Sequence, residues 1–276
     1  MSTRRLLIWC PDRSGIIAAV TGFLAERGAN VLDADQHTDP DDGSFAMRLE
    51  FEGDDPTNDF MPLAQRYAMD WRLTDASHRR RVAILVSKQD HCLADLLWRT
   101  RQNELPCQVA CVVSNHRDAA ADVATYGIPY HTLPVTPDTK PQQEARLREI
   151  LEAADTELVI LARYMQVLSA DTAAAYPNRI INIHHSFLPA FAGAKPYQQA
   201  HAKGVKLIGA TAHYVTEQLD EGPIISQGVA PVTHRDGVDD LIRKGRDLER
   251  TTLAAAVRAH LEDRVIVHAG RTIVFG

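Results

Sequence analysis

The sequence lacks the features that would place it in a membrane or stabilise it with disulfides. Its 276 residues contain no apolar run of transmembrane length, and no signal-peptide core follows Met1. The four cysteines are Cys10, Cys92, Cys107 and Cys111. None forms a CxxC pair, so we expect reduced core thiols rather than disulfides or a zinc site. These absences predict a cytoplasmic protein.

The chain also lacks an excess of positive charge. Its formal net charge is −6, whereas an extended nucleic-acid surface usually needs a basic face. Hydrophobic residues make up 45% and charged residues 24%, so we expect a folded chain rather than a disordered one. A length of 276 residues allows one large domain or two domains of unequal size.

Glycine is missing from the loop where a doubly wound α/β fold usually binds phosphate. This loop, residues 87–91, lies between a predicted strand at Val82–Val86 and a predicted helix at Cys92–Arg101. A dinucleotide fingerprint or a P-loop needs glycines there so that backbone N–H groups can approach the phosphate. We therefore expect no NAD, FAD or ATP chemistry and no prosthetic group.

Residues 1–78 predict a βαββαβ, ferredoxin-like domain. Its predicted elements are strand 4–10, helix 16–27, strands 30–36 and 44–51, helix 58–69 and strand 71–73. Asp12 or Ser14 could cap the first helix. Residues 75–81, which include three consecutive arginines, predict a solvated linker.

Two segments of this domain, Cys10–Ile16 and Arg27–Val31, resemble the ACT family of small regulatory modules. The resemblance implies an amino-acid effector and pairing into a homo-oligomer. A turn with glycine and serine at a helix N-terminus offers free N–H groups to a carboxylate. The residues expected at this site are Asp12, Ser14, Gly15 and Asn30. The alternative is that the module only supports folding or subunit pairing.

Residues 82–276 predict a second domain with a mostly parallel, Rossmann-like sheet. Strands and helices alternate regularly up to residue 184, as in parallel strands joined by right-handed crossovers. One of these helices is predicted at Met165–Ala175. Strands 206–215 and 224–231 have no helix between them and predict an antiparallel extension, which a helix at 238–261 and a hairpin follow.

Polar residues end the strand predicted at Arg179–His184. Period-two alternation puts Asn182 and His184 on one face, and ligands bind at the C-terminal ends of parallel strands. Asp220 lies in a second polar cluster, residues 213–222. An amide, an imidazole and a carboxylate together suit attack on a carbonyl group. No serine or cysteine in the motif is set up as a nucleophile, so direct attack by water or an amine is favoured.

Each of these residues also has a purely structural interpretation. A strand-end asparagine is often a turn former, a histidine on an apolar strand is often a core residue, and Asp220 could simply hold a loop. Zinc binding is a further alternative, with His184, His185, His213 and Asp220 as ligands. It is disfavoured because adjacent histidines on a strand point to opposite faces.

Three segments resemble, in order, the formyltransferase family that uses 10-formyltetrahydrofolate. They are Asn182–Pro189, Gly209–Val215 and Leu219–Gln227, and a fourth, Leu161–Ser169, is similar to that family's folate-pocket segment. The resemblance implies that Asn182, His184 and Asp220 are catalytic, and we expect no metal at this site. It also implies a folate substrate whose pterin pocket is lined by Met165, Gln166, Val167, Leu168 and Glu217.

An ACT module joined to this domain resembles the deformylase branch of that family, in which water accepts the formyl group. Phe191–Tyr197 and Val113–His116 are similar to the same branch. The glycinamide ribonucleotide transformylases hold a substrate phosphate at the first loop, which has no glycine here. The methionyl-tRNA branch must hold tRNA, whereas this chain is acidic. The expected reaction is hydrolysis of 10-formyltetrahydrofolate to formate and tetrahydrofolate, in one-carbon and purine metabolism.

Two other functions stay open from the sequence. One is a transformylase that acts on glycinamide ribonucleotide, which a dependence of turnover on that phosphorylated amine would reveal. The other is a folate- or amino-acid-binding regulator without activity, which bound folate without turnover would reveal. The Asn–His–Asp set argues against the regulator, because binding alone does not need all three groups.

Overall fold

The structure is a computed structural model that describes residues 2–188 and 196–276. The chain divides into two compact units. One consists of Met1–His78 and Glu262–Gly276, and the other of Arg79–Leu261. The boundaries predicted from the sequence, 1–78 and 82–276, differ at the C-terminal side, because residues 262–276 group with the first unit. The sequence of a hairpin does not indicate which of two units the hairpin packs on.

The first unit contains a four-stranded antiparallel sheet and two helices. In chain order these are β1 (Ser2–Pro11), α1 (Ile16–Glu26), β2 (Asn30–Asp39), β3 (Ser44–Gly53), α2 (Thr57–Tyr67) and β4 (Asp70–Asp75). The strand order β2-β3-β1-β4 confirms the predicted βαββαβ fold. Ile16, Val20 and Leu24 recur at helical spacing and are buried in the core of the unit, which is why this segment forms an amphipathic helix.

The start of α1 differs from the prediction. Its N-cap is Gly15 with a φ of 92°, and no side chain accepts a capping hydrogen bond, so the expected cap by Asp12 or Ser14 is wrong. A positive φ is cheap for glycine and costly for most other residues. The backbone freedom of Gly15, and not a side-chain cap, therefore sets this turn.

The second unit contains a seven-stranded sheet in the order β11-β10-β9-β8-β5-β6-β7. Its strands are β5 (Arg80–Val86), β6 (Cys107–Ser114), β7 (Tyr130–Thr132), β8 (Leu158–Leu161), β9 (Ile180–His184), β10 (Leu207–Tyr214) and β11 (Ile224–Pro231). Its helices are α3 (His91–Arg101), α4 (Ala120–Ala124), α5 (Lys140–Ala153), α6 (Ala170–Ala175), α7 (Pro196–Lys203) and α8 (Val238–Leu261). Strands β5 to β9 are parallel, and β10 and β11 form the predicted antiparallel extension.

This topology brings three strand ends together. β5 pairs in parallel with β6 on one side and with β8 on the other, so the chain order reverses between β5 and β8. The C-terminal ends of β5, β8 and β9 therefore lie side by side at the point where such sheets usually bind ligands. β8 is buried along its whole length, as expected for a parallel strand covered on both faces.

Some local predictions for this unit are wrong. The helix predicted at Met165–Ala175 begins only at Ala170, because the Ser169 side chain accepts a capping hydrogen bond and residues 165–168 form a loop. Arg80 and Arg81 belong to β5 rather than to a solvated linker, and they donate to the backbone carbonyls of His260 and Ala154 at 2.7 Å each. Helix α7 was not predicted.

The remaining described elements are β12 (Val265–His268) and β13 (Arg271–Val274), which pair as the predicted hairpin in the first unit. The cysteines are free thiols, three of them buried and Cys107 partly buried. Among the described residues, no helix has both the length and the apolar character needed to span a membrane.

Candidate active site

Strand β9 places two polar side chains on one face. Asn182 is partly buried and His184 is 9% exposed, while the alternating Ile181 and Ile183 are buried. The antiparallel neighbour β10 puts His213 directly opposite Asn182. The amide Nδ2 of Asn182 lies 3.2 Å from Nε2 of His213. An amide and two imidazoles therefore meet where β9 ends.

Asp220 reaches both histidines from the loop after β10. Its Oδ2 lies 3.2 Å from Nδ1 of His184, and its Oδ1 lies 3.6 Å from Nε2 of His213. Gly222 allows this approach, because a Cβ there would lie 1.7 Å from the carbonyl oxygen of Tyr214. Asp220 has a φ of 57°, a left-handed conformation that aspartate adopts more readily than most residues.

The carboxyl group of Asp220 is ionised at neutral pH. The hydrogen bond from His184 and then the nearby His213 hold its pKa well below the usual range and outweigh burial, which acts in the opposite direction. Because Nδ1 of His184 faces this carboxylate, Nδ1 carries a hydrogen. The other ring nitrogen, Nε2, is buried and has no hydrogen-bond partner among the described residues, although His184 lines the cavity. Nε2 therefore has a hydrogen-bonding capacity that no described residue uses.

His213 is a site residue that sequence reasoning named only as an alternative zinc ligand. Its Nδ1 lies 2.9 Å from the carbonyl oxygen of Tyr214 and donates to it. In the neutral ring, Nε2 then accepts from the amide nitrogen of Asn182. This contact orients the amide and leaves its second N–H for a ligand. The alternation of β10 was visible in the sequence, but its register against β9 was not.

The residues predicted to bind substrate surround the same cavity. Met165, Gln166, Val167, Leu168 and Glu217 line it together with Asn182, His184 and Asp220. Met165 and Val167 are 59% and 51% exposed although they are apolar, and Leu219 at the same cavity is 64% exposed. Exposed apolar side chains around a cavity with a few convergent polar groups suit a flat organic ring.

The segment Val113–His116 is linked to the pocket loop through Ser87. Ser87 donates its hydroxyl hydrogen to Oδ1 of Asn115 at 2.7 Å, and the Ser87 oxygen accepts from the backbone N–H of Met165 at 2.9 Å. Asn115 therefore fixes the serine that holds the start of the pocket loop. Of the other segments singled out in the sequence, Pro189 and most of Phe191–Tyr197 lie outside the described residues.

The four residues predicted for an amino-acid site do not converge within one chain. They are Asp12, Ser14, Gly15 and Asn30. The turn that holds the first three follows Pro11, which pairs with Ser44 at the start of β3, whereas Asn30 pairs with Glu52 near the end of β3. These two positions are about 25 Å apart along the strand. The turn and Asn30 therefore lie at opposite ends of the sheet.

The described residues contain one cluster with metal-ligand character, and it is not the predicted alternative set. Its members are His91, Cys92 and Glu249, whose ligand atoms lie within 4.8 Å of one another. The guanidinium of Arg163 lies 3.4 Å from the Glu249 carboxylate, where its charge disfavours a cation. The cavity therefore holds hydrogen-bond donors beside an ionised carboxylate. These groups suit the addition of a nucleophile to a carbonyl carbon.

Known proteins are similar to this chain in sequence and in fold. Residues 80–257 match the Formyl transferase family, and residues 4–61 match the ACT domain family. A formyltetrahydrofolate deformylase from Synechocystis sp. is 49% identical over 280 residues, which cover 99% of this chain and 98% of that protein. A crystal structure of a formyltetrahydrofolate deformylase from Pseudomonas syringae pv. tomato has a TM-score of 0.97 at 48% identity, and covers 100% of this chain and 95% of that one.

A second group of solved structures matches less of the chain. Glycinamide ribonucleotide transformylase 1 from Symbiobacterium toebii has a TM-score of 0.68 at 34% identity, and covers 74% of this chain and 98% of that one. The similarity to deformylases thus extends over the whole chain, whereas the similarity to this transformylase leaves about a quarter of it unmatched.

Proposed function

The chain belongs to the formyl transferase family, and we propose that it hydrolyses 10-formyltetrahydrofolate to formate and tetrahydrofolate, with water as the formyl acceptor. The observation that best supports this proposal is that Asn182, His184 and Asp220 meet at one cavity in a chain that is similar to deformylases along its whole length. Glycinamide ribonucleotide is the less supported acceptor, because similarity to a transformylase covers 74% of the chain.

Asp220 binds the attacking water in this mechanism. Its carboxylate is ionised, and its lone pairs accept hydrogen bonds from water as well as from Nδ1–H of His184. A carboxylate with a depressed pKa is a weak base, so its main contribution is to orient the water. It takes up the proton only as the new C–O bond forms and the attacking oxygen becomes acidic.

Asn182 and His184 stabilise the tetrahedral intermediate. The free N–H of Asn182 and Nε2–H of protonated His184 donate to the oxyanion, and a donor of this kind contributes about 3 kcal/mol in comparable sites. The folate ring system packs on the loop Met165–Leu168 and beside Glu217. The intermediate then collapses, the C–N10 bond breaks, N10 takes up a proton, and formate and tetrahydrofolate leave.

The direct test of the function is an assay without an amine acceptor. The purified chain is mixed with 10-formyltetrahydrofolate in buffer, and formate and tetrahydrofolate are measured over time. We expect both products in equal amounts. A lack of both products, together with turnover once glycinamide ribonucleotide is added, would replace water by the amine as the acceptor.

The roles of the site residues have their own test. His184→Ala removes an oxyanion donor, and Asp220→Asn removes the charge that orients the water, so we expect each to lower kcat at least 100-fold with native circular dichroism. Glu221→Gln, at the exposed neighbour of Asp220, is the control and should retain activity. Near-normal rates in both site variants would contradict the assignment.

We further propose that the ACT domain binds an amino-acid effector and pairs the chain into a homo-oligomer, in a cytoplasmic enzyme of one-carbon and purine metabolism. The turn at Asp12–Gly15 is the better supported carboxylate site, because Gly15 leaves the first N–H groups of α1 without a side-chain cap. Titration of glycine and methionine against turnover tests this regulation. A flat response to both would remove it.

A further inference from the structure

The crevice between β5 and β8, where a parallel α/β sheet usually binds a ligand, is closed in this chain. The N–H of Ala162 donates to the carbonyl of Leu85 at 2.8 Å, and the N–H of Ser87 donates to the carbonyl of Arg163 at 3.2 Å. The N–H of Met165 then donates to the Ser87 hydroxyl at 2.9 Å. The loops after the two strands are therefore joined by hydrogen bonds that continue the strand pairing.

A buried ion pair fills the space beside these loops. The Arg163 side chain is 10% exposed, donates to Oε1 of Gln89 at 2.8 and 3.2 Å, and lies 3.4 Å from Oε2 of Glu249. The Glu249 side chain, on α8, is 2% exposed; its carboxylate accepts from the Tyr197 hydroxyl at 3.0 Å and lies 2.7 Å from Nε2 of His91. We call these five side chains, Gln89, His91, Arg163, Tyr197 and Glu249, the crevice cluster.

The side chains of the crevice cluster bond to one another and do not form an open binding site. Burial alone would raise the pKa of Glu249, but the hydrogen bond from His91 and the charge of Arg163 outweigh it and hold that pKa below its ordinary value. Burial also raises the pKa of the neighbouring Cys92 thiol, which therefore stays protonated and is a poor metal ligand. The charges of the cluster are thus compensated within it.

The crevice cluster borders the catalytic residues through His185. The His185 ring stacks on that of His184 with centroids 4.8 Å apart, and its centroid lies 6.4 Å from that of the Tyr197 ring. Arg163 and His185 line the same cavity as His184. Packing around Tyr197 is tight, because a Cβ on Gly245 of α8 would lie 1.9 Å from the tyrosine oxygen.

We infer that the crevice cluster determines acceptor specificity, because it keeps amine nucleophiles, which are larger than water, away from the formyl carbon. This inference rests on the proposed function and deepens it. In the proposed function folate binds at the side of the cavity formed by Met165–Leu168, so an amine would approach from the loops after β5 and β8, where Arg163 of the cluster lines the cavity. A water molecule needs only about 30 Å³ and fits beside Asp220.

A partition between water and hydroxylamine tests this inference with the full chain. The substrate is 10-formyltetrahydrofolate labelled with ¹³C in the formyl group. In the competing reaction the hydroxylamine nitrogen attacks the formyl carbon, the C–N10 bond breaks, and a proton moves from that nitrogen to N10, which gives N-hydroxyformamide and tetrahydrofolate. ¹³C NMR measures formate and N-hydroxyformamide in one sample, with a protein-free reaction subtracted.

Two variants open the crevice cluster in different ways. Arg163→Ala/Glu249→Gln removes both charges together, so that neither is left buried and unpaired. Tyr197→Ala removes the ring beside His185, and Tyr197→Phe is the matched control that keeps the ring. We expect the share of N-hydroxyformamide to rise at least tenfold in each opened variant and to stay within twofold of wild type in Tyr197→Phe.

If the opened variants retain native circular dichroism and give the same share of N-hydroxyformamide as the wild type, the inference is overturned. A wild-type protein that already passes a large share of the formyl group to hydroxylamine would overturn it as well. The proposed function is measured separately, as formate release by the wild type without hydroxylamine. If that formate is absent, the function fails; if it is present and the partition never changes, only the specificity inference fails.

Discussion

His213 orients the amide of a neighbouring residue without being one of the three groups first predicted to be catalytic. The carbonyl of Tyr214 fixes its tautomer, and its Nε2 then holds the amide of Asn182. Asn182 and His184 could be found from the sequence because both lie on one strand and two positions apart. His213 could not be placed with them, because its position opposite Asn182 depends on the register of β10 against β9.

Replacement of His213 by alanine removes the acceptor and frees the Asn182 amide to rotate, so the oxyanion loses a preoriented donor. We expect kcat to fall about 10- to 100-fold while KM for 10-formyltetrahydrofolate changes little. Steady-state kinetics of His213→Ala measures both constants. His234→Ala, at an exposed histidine, is the control, and an unchanged kcat in His213→Ala would contradict the positioning role.

His185 predicts a pH dependence of stability. Burial, followed by the charges of Arg163 and His184, lowers its pKa from 6.5 to about 4. As the pH falls below 6.5, the unfolded chain takes up a proton on His185, whereas the folded chain does so only near pH 4. The contribution of neutral His185 to stability is therefore complete above pH 6.5 and is lost as the pH falls towards 4.

Urea unfolding of the wild type and of His185→Gln tests this prediction. Between pH 7.5 and pH 4.5 the variant should lose about 1–2 kcal/mol less unfolding free energy than the wild type. Equal losses in the two proteins would mean that the His185 ring titrates in the folded chain as it does in the unfolded one.

Among the elements, α5 fixes the loop that lines the folate side of the cavity. Gln143 donates to the Tyr164 hydroxyl at 3.0 Å just before the loop, and Glu144 accepts from the Ser169 N–H at 3.0 Å just after it. Glu144 is 4% exposed and also accepts from the hydroxyl of Thr172 at 2.7 Å. Residues 165–168 are therefore held at both ends while their own side chains stay exposed.

Glu144→Gln places an amide N–H against the donors of Ser169 and Thr172, and the pocket loop should loosen. Loss of a hydrogen bond to a buried charge costs about 1.5 kcal/mol, so we expect KM for the folate to rise about tenfold while kcat stays within twofold. The control is Glu149→Gln on the same helix, where the partner among the described residues is the exposed Arg146. A lower kcat with an unchanged KM would contradict this role for Glu144.

The same loop explains where element prediction fails. Met165, Val167 and Leu168 continue an apolar pattern into a run of alanines, which favours a helix from residue 165. Tertiary contacts decide otherwise, because the Ser169 cap and the Glu144 acceptor both fix the helix start at Ala170. By contrast, the turn Pro40–Gly43 is specified by local chemistry, and the two strands that flank it, β2 and β3, were both predicted.

At the scale of the whole molecule, the first unit is assembled from two distant stretches of the chain. The Asp263 side chain is 2% exposed and accepts hydrogen bonds from Arg72 at 3.0 Å and from Thr74 at 2.7 Å, both on β4. The ring of His268 lies 4.0 Å from that of Trp9 on β1. The boundary near residue 78 could be predicted, because the βαββαβ pattern gives way there to regular strand–helix alternation. The grouping of residues 262–276 with the first unit could not, because no periodicity in the sequence indicates it.

Removal of the Asp263 carboxylate should therefore destabilise the first unit. Asp263→Ala leaves Thr74 and Arg72 without their acceptor, and we expect a loss of about 1–3 kcal/mol in unfolding free energy. In a Trp98→Phe background, Trp9 and Trp71 report on this unit alone, and urea titration followed by fluorescence gives the value. Asp54→Ala, at an exposed residue, is the control; an equal effect of the two substitutions would contradict the contact.

The split composition of the first unit also sets an order of events during synthesis. The ribosome makes residues 2–78 first, yet the segment that supplies Asp263 and His268 emerges only after all of residues 79–261. The early unit therefore waits, incomplete, while the later one is translated and becomes free to fold. During that interval residues 262–276 do not yet cover the sheet, so a chaperone can bind it. Slow translation through residues 79–261 should lengthen the time in which the incomplete unit can aggregate.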